Sequence, residues 1–216
     1  NGMKYLLILL IFITHLGYSM KLKQFRHEIL NDPDAKIALE RAVKDKKSKY
    51  PEITEEKIVD MILGPIAYHE SDKTLDPMIT QGGSGYARGV YQFEPPSMNH
   101  AIVRSKRYFE EGKEPAWIKK IDSNDDYDAT KLTLGQQSAM LIYDLLGKTG
   151  ADIGMVTNGN IGITQFWRQF HWAGKDAQLG NKLETFKEHK AMYQKEYNSS
   201  NLNRVRHVKE VPPNFK

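Results

Sequence analysis

Glu70 has the residue type and the position of a proton donor. Ile58, Ile62 and Ile66 precede it at intervals of four residues, which places the four side chains on one face of a helix. Apolar surroundings disfavour the charged form of a carboxyl group and so raise its pKa. We therefore expect Glu70 to keep its proton near neutral pH, as a general acid must. His69 points about 100° away from it around the helix, and we expect a supporting or surface role for that ring.

A loop segment that starts at Ala87 combines residue types suited to binding a ligand. Gly89 suits a positive φ or a close approach of the backbone to a ligand. Gln92 offers a hydrogen-bond donor and an acceptor, which can orient a ligand or tie the loop to the core. Tyr91 can stack on a ligand ring, although aromatic side chains more often fill the core.

Further polar and aromatic positions complete the candidate site. Ser71 follows Glu70 directly, and its hydroxyl can orient that carboxyl group or cap the helix end. His171 and Trp172 follow a predicted buried helix that carries Trp167, which we expect to be a core residue. His171 can hydrogen-bond to a ligand or to Glu70, and Trp172 can stack on a ligand ring.

These segments resemble the motifs of the soluble lytic transglycosylase family, known as the SLT domain, and of the related goose-type lysozymes. The first family motif is Glu-Ser at a helix end, as in Glu70-Ser71. The second reads Ala-x-Gly-Leu-Met-Gln, then two residues, then Pro-x-Thr. This chain follows it without a gap, with Val-Tyr in place of Leu-Met, and the matching residues are Ala87, Gly89, Gln92, Pro95 and Ser97.

The third family motif, Ala-Tyr-Asn-Ala-Gly, is matched only in part. Ala173 and Gly174 agree with it, whereas His171 and Trp172 replace the Tyr and the Asn. The resemblance is close over residues 54–97 and looser from there to about residue 174.

The resemblance implies a peptidoglycan-cleaving enzyme that cuts the MurNAc-β-1,4-GlcNAc bond. Glu70 would protonate the leaving oxygen and then deprotonate the sugar's own 6-hydroxyl, giving a 1,6-anhydro product with assistance from the substrate's N-acetyl group. That route needs one carboxylate, no cofactor and no metal. The substrate contacts that it implies are Ser71, Gly89, Tyr91, Gln92, His171 and Trp172.

Two other functions fit the same residues. A hydrolysing muramidase, such as a phage endolysin, would use a second carboxylate to hold water. Asp72, Asp76 and Glu94 are near in sequence, but none falls on a family position. A non-catalytic cell-wall-binding or virion structural protein would keep the fold without the reaction.

Other site chemistries lack their sequence patterns. The chain has no cysteine, which excludes disulfides, thiolate metal sites and a cysteine nucleophile. His69-Glu70 is not followed by the second histidine of a zinc-protease helix. No phosphate-binding or dinucleotide-binding glycine motif is present, and residues 122–128 do not lead to the glycine and glutamate of a calcium-binding loop.

The elements that must position these residues are mostly helical. Thr54 is a suitable N-cap for the helix that leads to Glu70, and Gly64-Pro65 should interrupt that helix. Thr133 and Gln136 have the spacing of a capping box at the start of another core helix.

We predict a mainly α, lysozyme-like α+β fold with a small β-hairpin around residues 76–93. The cleft should lie between this element and helices at residues 133–147 and 161–172. The chain divides into a signal peptide or membrane anchor (1–19), an N-terminal helical extension (20–50), a catalytic domain (51–197) and a basic tail (198–216).

The N-terminus predicts export. Lys4 precedes an apolar run at residues 5–14 that has the length of a signal-peptide core, and Ser19 ends a small-x-small cleavage site. An uncleaved membrane anchor is the alternative, with membrane contact through residues 5–14. The net charge of +4 suits an anionic polymer such as the cell wall but selects no single one.

We therefore expect a protein of the periplasm, the cell wall or a membrane-tethered location, in a bacterial or phage setting. Its expected partner is the glycan strand of peptidoglycan, and we expect no nucleic acid. A monomer is expected unless the protein belongs to a larger wall-penetrating assembly.

Overall fold

The computed structural model describes residues 22–80, 86–122, 127–171 and 176–209, and within the last helix it describes the side chains of residues 180–200. The described part is mainly helical, as predicted. Its helices are α1 (22–31), α2 (Pro33–Lys46), α3 (Glu55–Ile58), α4 (Gly64–Glu70), α5 (Pro95–Ser105), α6 (Ala116–Asp122), α7 (Leu134–Gly147), α8 (Ile153–Thr157), α9 (Ile163–Phe170) and α10 (Asp176–Lys209).

Helix α7 lies at the centre of the fold. It begins with the predicted capping box, in which the Thr133 side chain accepts from the Gln136 N–H and the Gln136 side chain accepts from the Thr133 N–H. Helices α2 and α5 pack along it. Apart from Gln136, every residue from Leu134 to Leu145 is buried. A helix that is apolar nearly all round is stable only when neighbours cover most of its surface.

The helices before residue 50 contribute to the same core as the rest of the chain. Leu22, Phe25 and Ile29 of α1 are buried in it, as are Ala38 and Leu39 of α2. The chain turns from α1 into α2 at Asp32, whose carboxylate caps α2 and is followed by Pro33 at the first helical position.

The helical segment that leads to Glu70 changes from α-helical to π-helical and back to α-helical. Thr54 caps α3, as predicted, by accepting from the Lys57 N–H. A π-helical turn, Val59–Leu63, then follows, and the Gly64 N–H closes it by donating to the Val59 carbonyl. Helix α4 starts at Gly64, so the winding changes at Gly64-Pro65, where an interruption was predicted, although the backbone angles of Leu63 and Gly64 remain helical. π-turns of this kind occur often beside functional sites.

Helix α10 crosses α4 and holds it against the core. A Cβ at Gly64 would collide with the Tyr193 ring, so glycine permits the close approach of the two helices. The Tyr68 hydroxyl donates to the Glu196 carboxylate at 2.8 Å. Phe186 stacks on Trp167 of α9 with ring centroids 4.6 Å apart. Helix α10 therefore fixes α4 and α9 relative to each other.

The predicted β-hairpin around residues 76–93 is not formed by the described residues of that segment. They make two isolated antiparallel bridges, Thr80–Arg88 and Arg88–Phe93, and no strand. The backbone curls between Arg88 and Phe93, which exchange both of their backbone hydrogen bonds. Positive φ angles at Gly89 and Gln92 turn the chain within this loop, so an extended strand cannot continue.

Within the described ranges, no helix is long and apolar enough to cross a membrane. The apolar run at residues 5–14, the segment 1–19 and residues 210–216 lie outside those ranges.

Candidate active site

Glu70 is the last residue of α4, and its side chain is 16% exposed. Trp167 of α9 donates a hydrogen bond from its indole Nε1 to Glu70 Oε1 at 2.7 Å. The indole itself is fully buried. The carboxyl group is therefore held at the surface of the core by a donor that belongs to a different helix.

His171 joins the three predicted segments at one point. It follows α9 directly, and its Nε2 lies 3.1 Å from the Tyr91 carbonyl oxygen and 3.6 Å from Glu70 Oε1. Because a carbonyl oxygen only accepts hydrogen bonds, His171 must carry a hydrogen on Nε2 to make the first contact. This side chain connects the end of α9, the 88–93 loop and the end of α4.

Burial raises the pKa of the Glu70 carboxyl group. The charge of a protonated His171, the hydrogen bond from Trp167 and the charge of Lys182 act in the opposite direction, in that order. Burial is the largest of these causes, so the neutral acid is favoured relative to an ordinary glutamate.

His69, the residue before Glu70, is buried in an aromatic cluster. Its ring lies 5.0 Å from the Trp167 ring and 4.8 Å from the Phe186 ring, measured between centroids. Burial lowers the pKa of His69 to about 3, with a smaller effect from His189. The ring is therefore neutral at pH 7 and supports Trp167 through packing.

Ser71 shapes the chain directly after Glu70. Its fully buried hydroxyl donates to the Ala67 carbonyl at 2.6 Å and accepts from the Leu75 N–H at 2.9 Å. Asp72, Lys73 and Leu75 have positive φ angles, so the turn is sharp. Ser71 holds this turn, because its hydroxyl is hydrogen-bonded to backbone atoms on both sides of it.

The 88–93 loop is held by a glutamine that the sequence analysis did not select. Gln137 of α7 is fully buried, accepts from the Val90 N–H at 2.8 Å and donates to the Pro77 carbonyl at 2.9 Å. Gly89 has a φ of +77°, and a Cβ there would collide with Gln137 Oε1. The sequence signal for this role was a glutamine within the apolar run of α7, because a buried side-chain amide needs hydrogen-bond partners.

Gln92 and Tyr91 take part in the loop itself. Gln92 is half-buried, and its Nε2 donates to the Gly89 carbonyl at 2.8 Å. The Tyr91 ring is fully buried and its hydroxyl lies 2.9 Å from Ser138 Oγ, so burial raises the pKa of that phenol. Only the backbone carbonyl of Tyr91 reaches the Glu70 site, through His171.

Trp167 is a site residue that the sequence analysis placed only in the core. It is both, because its ring packs in the core and its N–H binds Glu70. The signal was the indole N–H, which usually finds an acceptor when the ring is buried. Trp172, the remaining predicted contact, lies outside the described residues.

The three acidic residues considered as a second carboxylate have other surroundings. Asp76 accepts from the Met78 N–H in a local turn. The Asp72 side chain is 78% exposed and lies 3.8 Å from His189 Nε2, whereas Glu94 is exposed at the start of α5.

In the part of the chain that the structure describes, no group of three His, Asp or Glu side chains is arranged to hold a metal ion.

Comparisons with protein-family models, with curated proteins and with solved structures found no match to the chain.

Proposed function

We propose that this protein is a peptidoglycan-cleaving lytic transglycosylase of lysozyme-like fold, with Glu70 as its only catalytic carboxylate. The observation that carries the proposal is the hydrogen bond from Trp167 to Glu70 Oε1 in a setting that raises the pKa of Glu70. Such a carboxyl group is partly exposed, fixed in place and biased towards its protonated form. Those are the properties of a general acid.

The proposed reaction uses Glu70 twice. The carboxylic acid gives its proton to the glycosidic oxygen while the bond from that oxygen to C1 of MurNAc breaks, and the bond electrons remain on the oxygen. The 6-hydroxyl oxygen of the same MurNAc then bonds to C1, and its proton returns to the Glu70 carboxylate. The enzyme ends in its starting state, and the products are a free GlcNAc 4-hydroxyl and a 1,6-anhydro end.

The contact between His171 and the Tyr91 carbonyl supports the proposed position of the cleft. It joins the 88–93 loop to the end of α9 beside Glu70. A glycan strand running past Glu70 would therefore meet this loop, and Gly89 and Gln92 lie within it. In this proposal Ser71, Tyr91 and Gln137 shape the cleft from behind, because all three are buried.

The surroundings of the other acidic residues favour transglycosylation over hydrolysis. Hydrolysis on this fold would call for a second carboxylate that holds a water molecule. The Asp76 carboxylate is used in a local turn, and Asp72 and Glu94 are exposed rather than buried beside Trp167. The 6-hydroxyl of the substrate needs no such group.

The proposal is tested by digesting purified peptidoglycan with wild type and Glu70→Gln and analysing the fragments by mass spectrometry. We expect 1,6-anhydro-MurNAc ends from wild type and no cleavage by Glu70→Gln, whose folding is checked by circular dichroism. Glu52→Gln is a matched control, since Glu52 is exposed and distant in sequence from the site. Reducing MurNAc ends would indicate a muramidase instead.

Full activity of Glu70→Gln would contradict the catalytic assignment. An inactive wild type that still binds purified walls would favour the non-catalytic alternative, a wall-binding or virion structural protein. The proposal also includes export to the periplasm or cell wall through residues 1–19, which lie outside the described residues.

A further inference from the structure

Within the described residues, the hydrogen bond from Trp167 and the close approach of His171 both fall on the same oxygen of the Glu70 carboxyl group. Trp167 Nε1 lies 2.7 Å from Oε1, and His171 Nε2 lies 3.6 Å from the same atom. The indole nitrogen of tryptophan is a donor only, because its lone pair belongs to the aromatic ring. Oε1 must therefore accept the Trp167 hydrogen bond and cannot carry the acidic proton towards that nitrogen.

The Trp167 ring cannot turn away from this contact without disturbing the core. It is fully buried, stacks on Phe186 at 4.6 Å and meets the His69 ring edge-on at 5.0 Å. A buried aromatic ring packed on several sides stays in one rotamer. The direction of its N–H is therefore set by packing and not by the carboxyl group.

We propose that Trp167 is a positioning residue which binds Glu70 Oε1 in both protonation states and thereby makes Oε2 the oxygen that donates and recovers the proton. This inference rests on the proposed function. It adds the identity of the reacting oxygen, because the other oxygen is held by Trp167 of α9. During the reaction the Oε2–H bond breaks as the proton joins the glycosidic oxygen, and it forms again when the 6-hydroxyl proton returns.

The first test uses the wild-type protein and needs no activity. The indole N–H signals of the three tryptophans are followed by NMR from pH 4 to pH 9, roughly spanning carboxyl titration. We expect the Trp167 signal to move with the ionisation of Glu70 and to lose that titration in Glu70→Gln. At low pH it should remain downfield of the Trp117 signal, because the indole nitrogen of Trp117 is buried and has no hydrogen-bond partner.

Two outcomes of the titration would overturn the inference. A Trp167 signal that does not follow the ionisation of Glu70 would show that the contact is absent in solution. A Trp167 signal that coincides with that of Trp117 at low pH would show that protonation breaks the contact, so that Trp167 does not bind the protonated acid.

The second test compares Trp167→Phe with the matched control Trp117→Phe. Loss of a hydrogen bond to a charged group should lower kcat of Trp167→Phe about tenfold to a hundredfold, with a smaller effect on KM. The alkaline limb of its kcat/KM profile should move to higher pH, because the lost hydrogen bond favours the carboxylate. Trp117→Phe should leave the profile unchanged.

These measurements separate the inference from the proposed function. If wild type cleaves peptidoglycan and the pH profile of Trp167→Phe matches that of wild type, the positioning role is wrong and the proposed function stands. If wild type cleaves nothing, the proposed function fails, while the NMR titration still decides whether Trp167 binds Glu70. Should Trp167→Phe fail to fold, the wild-type titration alone decides.

Discussion

Single side chains around Glu70 divide into those that contact its carboxyl group and those that hold the backbone in place. Ser71 and Tyr91 belong to the second group because both are fully buried and their hydroxyls bind other protein atoms. Trp167 combines both roles in one side chain, with a ring in the core and an N–H on Glu70. At this scale, burial decides which atoms of a residue remain available for chemistry.

Gly89 provides a test of how tightly the loop beside Glu70 is held. Gly89→Ala should destabilise the fold by about 1 kcal/mol for the positive φ and by about a further 1–3 kcal/mol for the collision with Gln137. Gln137 has little freedom to move, since it is hydrogen-bonded to Val90, Pro77 and Leu132. Urea unfolding measures the change in the free energy of unfolding.

The control for this prediction is Gly159→Ala. Gly159 has nearly the same φ, +79°, but a Cβ there meets nothing within 4 Å. It should therefore show the cost of the backbone angle alone. Equal destabilisation by the two substitutions would mean that Gln137 moves aside freely and does not clamp the loop.

Two histidines meet where α4 and α10 cross. The rings of His69 and His189 lie 5.3 Å apart, and the Nδ1 atoms of both are buried without a hydrogen-bond partner. Burial lowers the pKa of both rings, that of His69 to about 3. The packing of α4 against α10 therefore favours the neutral form of both imidazole rings.

The pH dependence of stability follows from these shifts. A group whose pKa is lower in the folded state stabilises the protein above its unfolded pKa of 6.5 and loses that contribution as the pH falls from about 6.5 towards 3. Between pH 6.5 and 5, about 1.4 kcal/mol per pH unit gives a loss of about 2 kcal/mol from His69 alone. Urea unfolding at pH 7 and pH 5 measures it.

Charged groups around His69 and His189 change the size of this loss of stability at low pH but not its direction. Lys182 and His171 also disfavour protonation of His69, whereas Asp72 opposes them. At His189, Lys73 disfavours protonation, and Asp72 and Glu188 oppose it. His69→Phe should flatten the pH dependence, whereas the control His100→Phe, at an exposed histidine, should not. An unchanged slope in His69→Phe would refute this account.

At the scale of the whole molecule, the N-terminal helices and the Glu70 site share one core. Helix α2 packs along α7, and α7 holds the loop beside Glu70 through Gln137. The buried face of α7 would be exposed to water if α2 were removed. We therefore expect the integrity of the site to depend on residues that precede the predicted domain boundary at residue 50.

Deletion of residues 1–50 tests this dependence. We expect the shortened chain to lose cooperative thermal unfolding and a dispersed NMR spectrum, because the apolar faces of α7 and of the α3–α4 segment lose their cover. Deletion of residues 1–19 is the control, since it keeps every core residue of the described ranges. A cooperative transition in the shorter chain would instead support an independent domain that begins at residue 51.

The sequence by itself determined the features that depend on residues a few positions apart. The Thr54 N-cap and the Thr133–Gln136 capping box are local, and each lies where it was predicted. The change of winding at Gly64-Pro65 is local too, in place of the predicted break. The position of Glu70 at the end of an apolar helix face is local as well. Hydrogen bonds within one helical turn and side-chain periodicity require no knowledge of the rest of the chain.

Only the tertiary structure decided what surrounds Glu70. Trp167 is 97 residues away in the chain, and Gln137 reaches Val90 across 47 residues. The predicted hairpin was wrong for a related reason, because the loop follows its long-range contact with α7 and its positive φ angles rather than a strand pattern. Such contacts depend on how α4, α7, α9 and α10 pack together, and that packing is a property of the whole core.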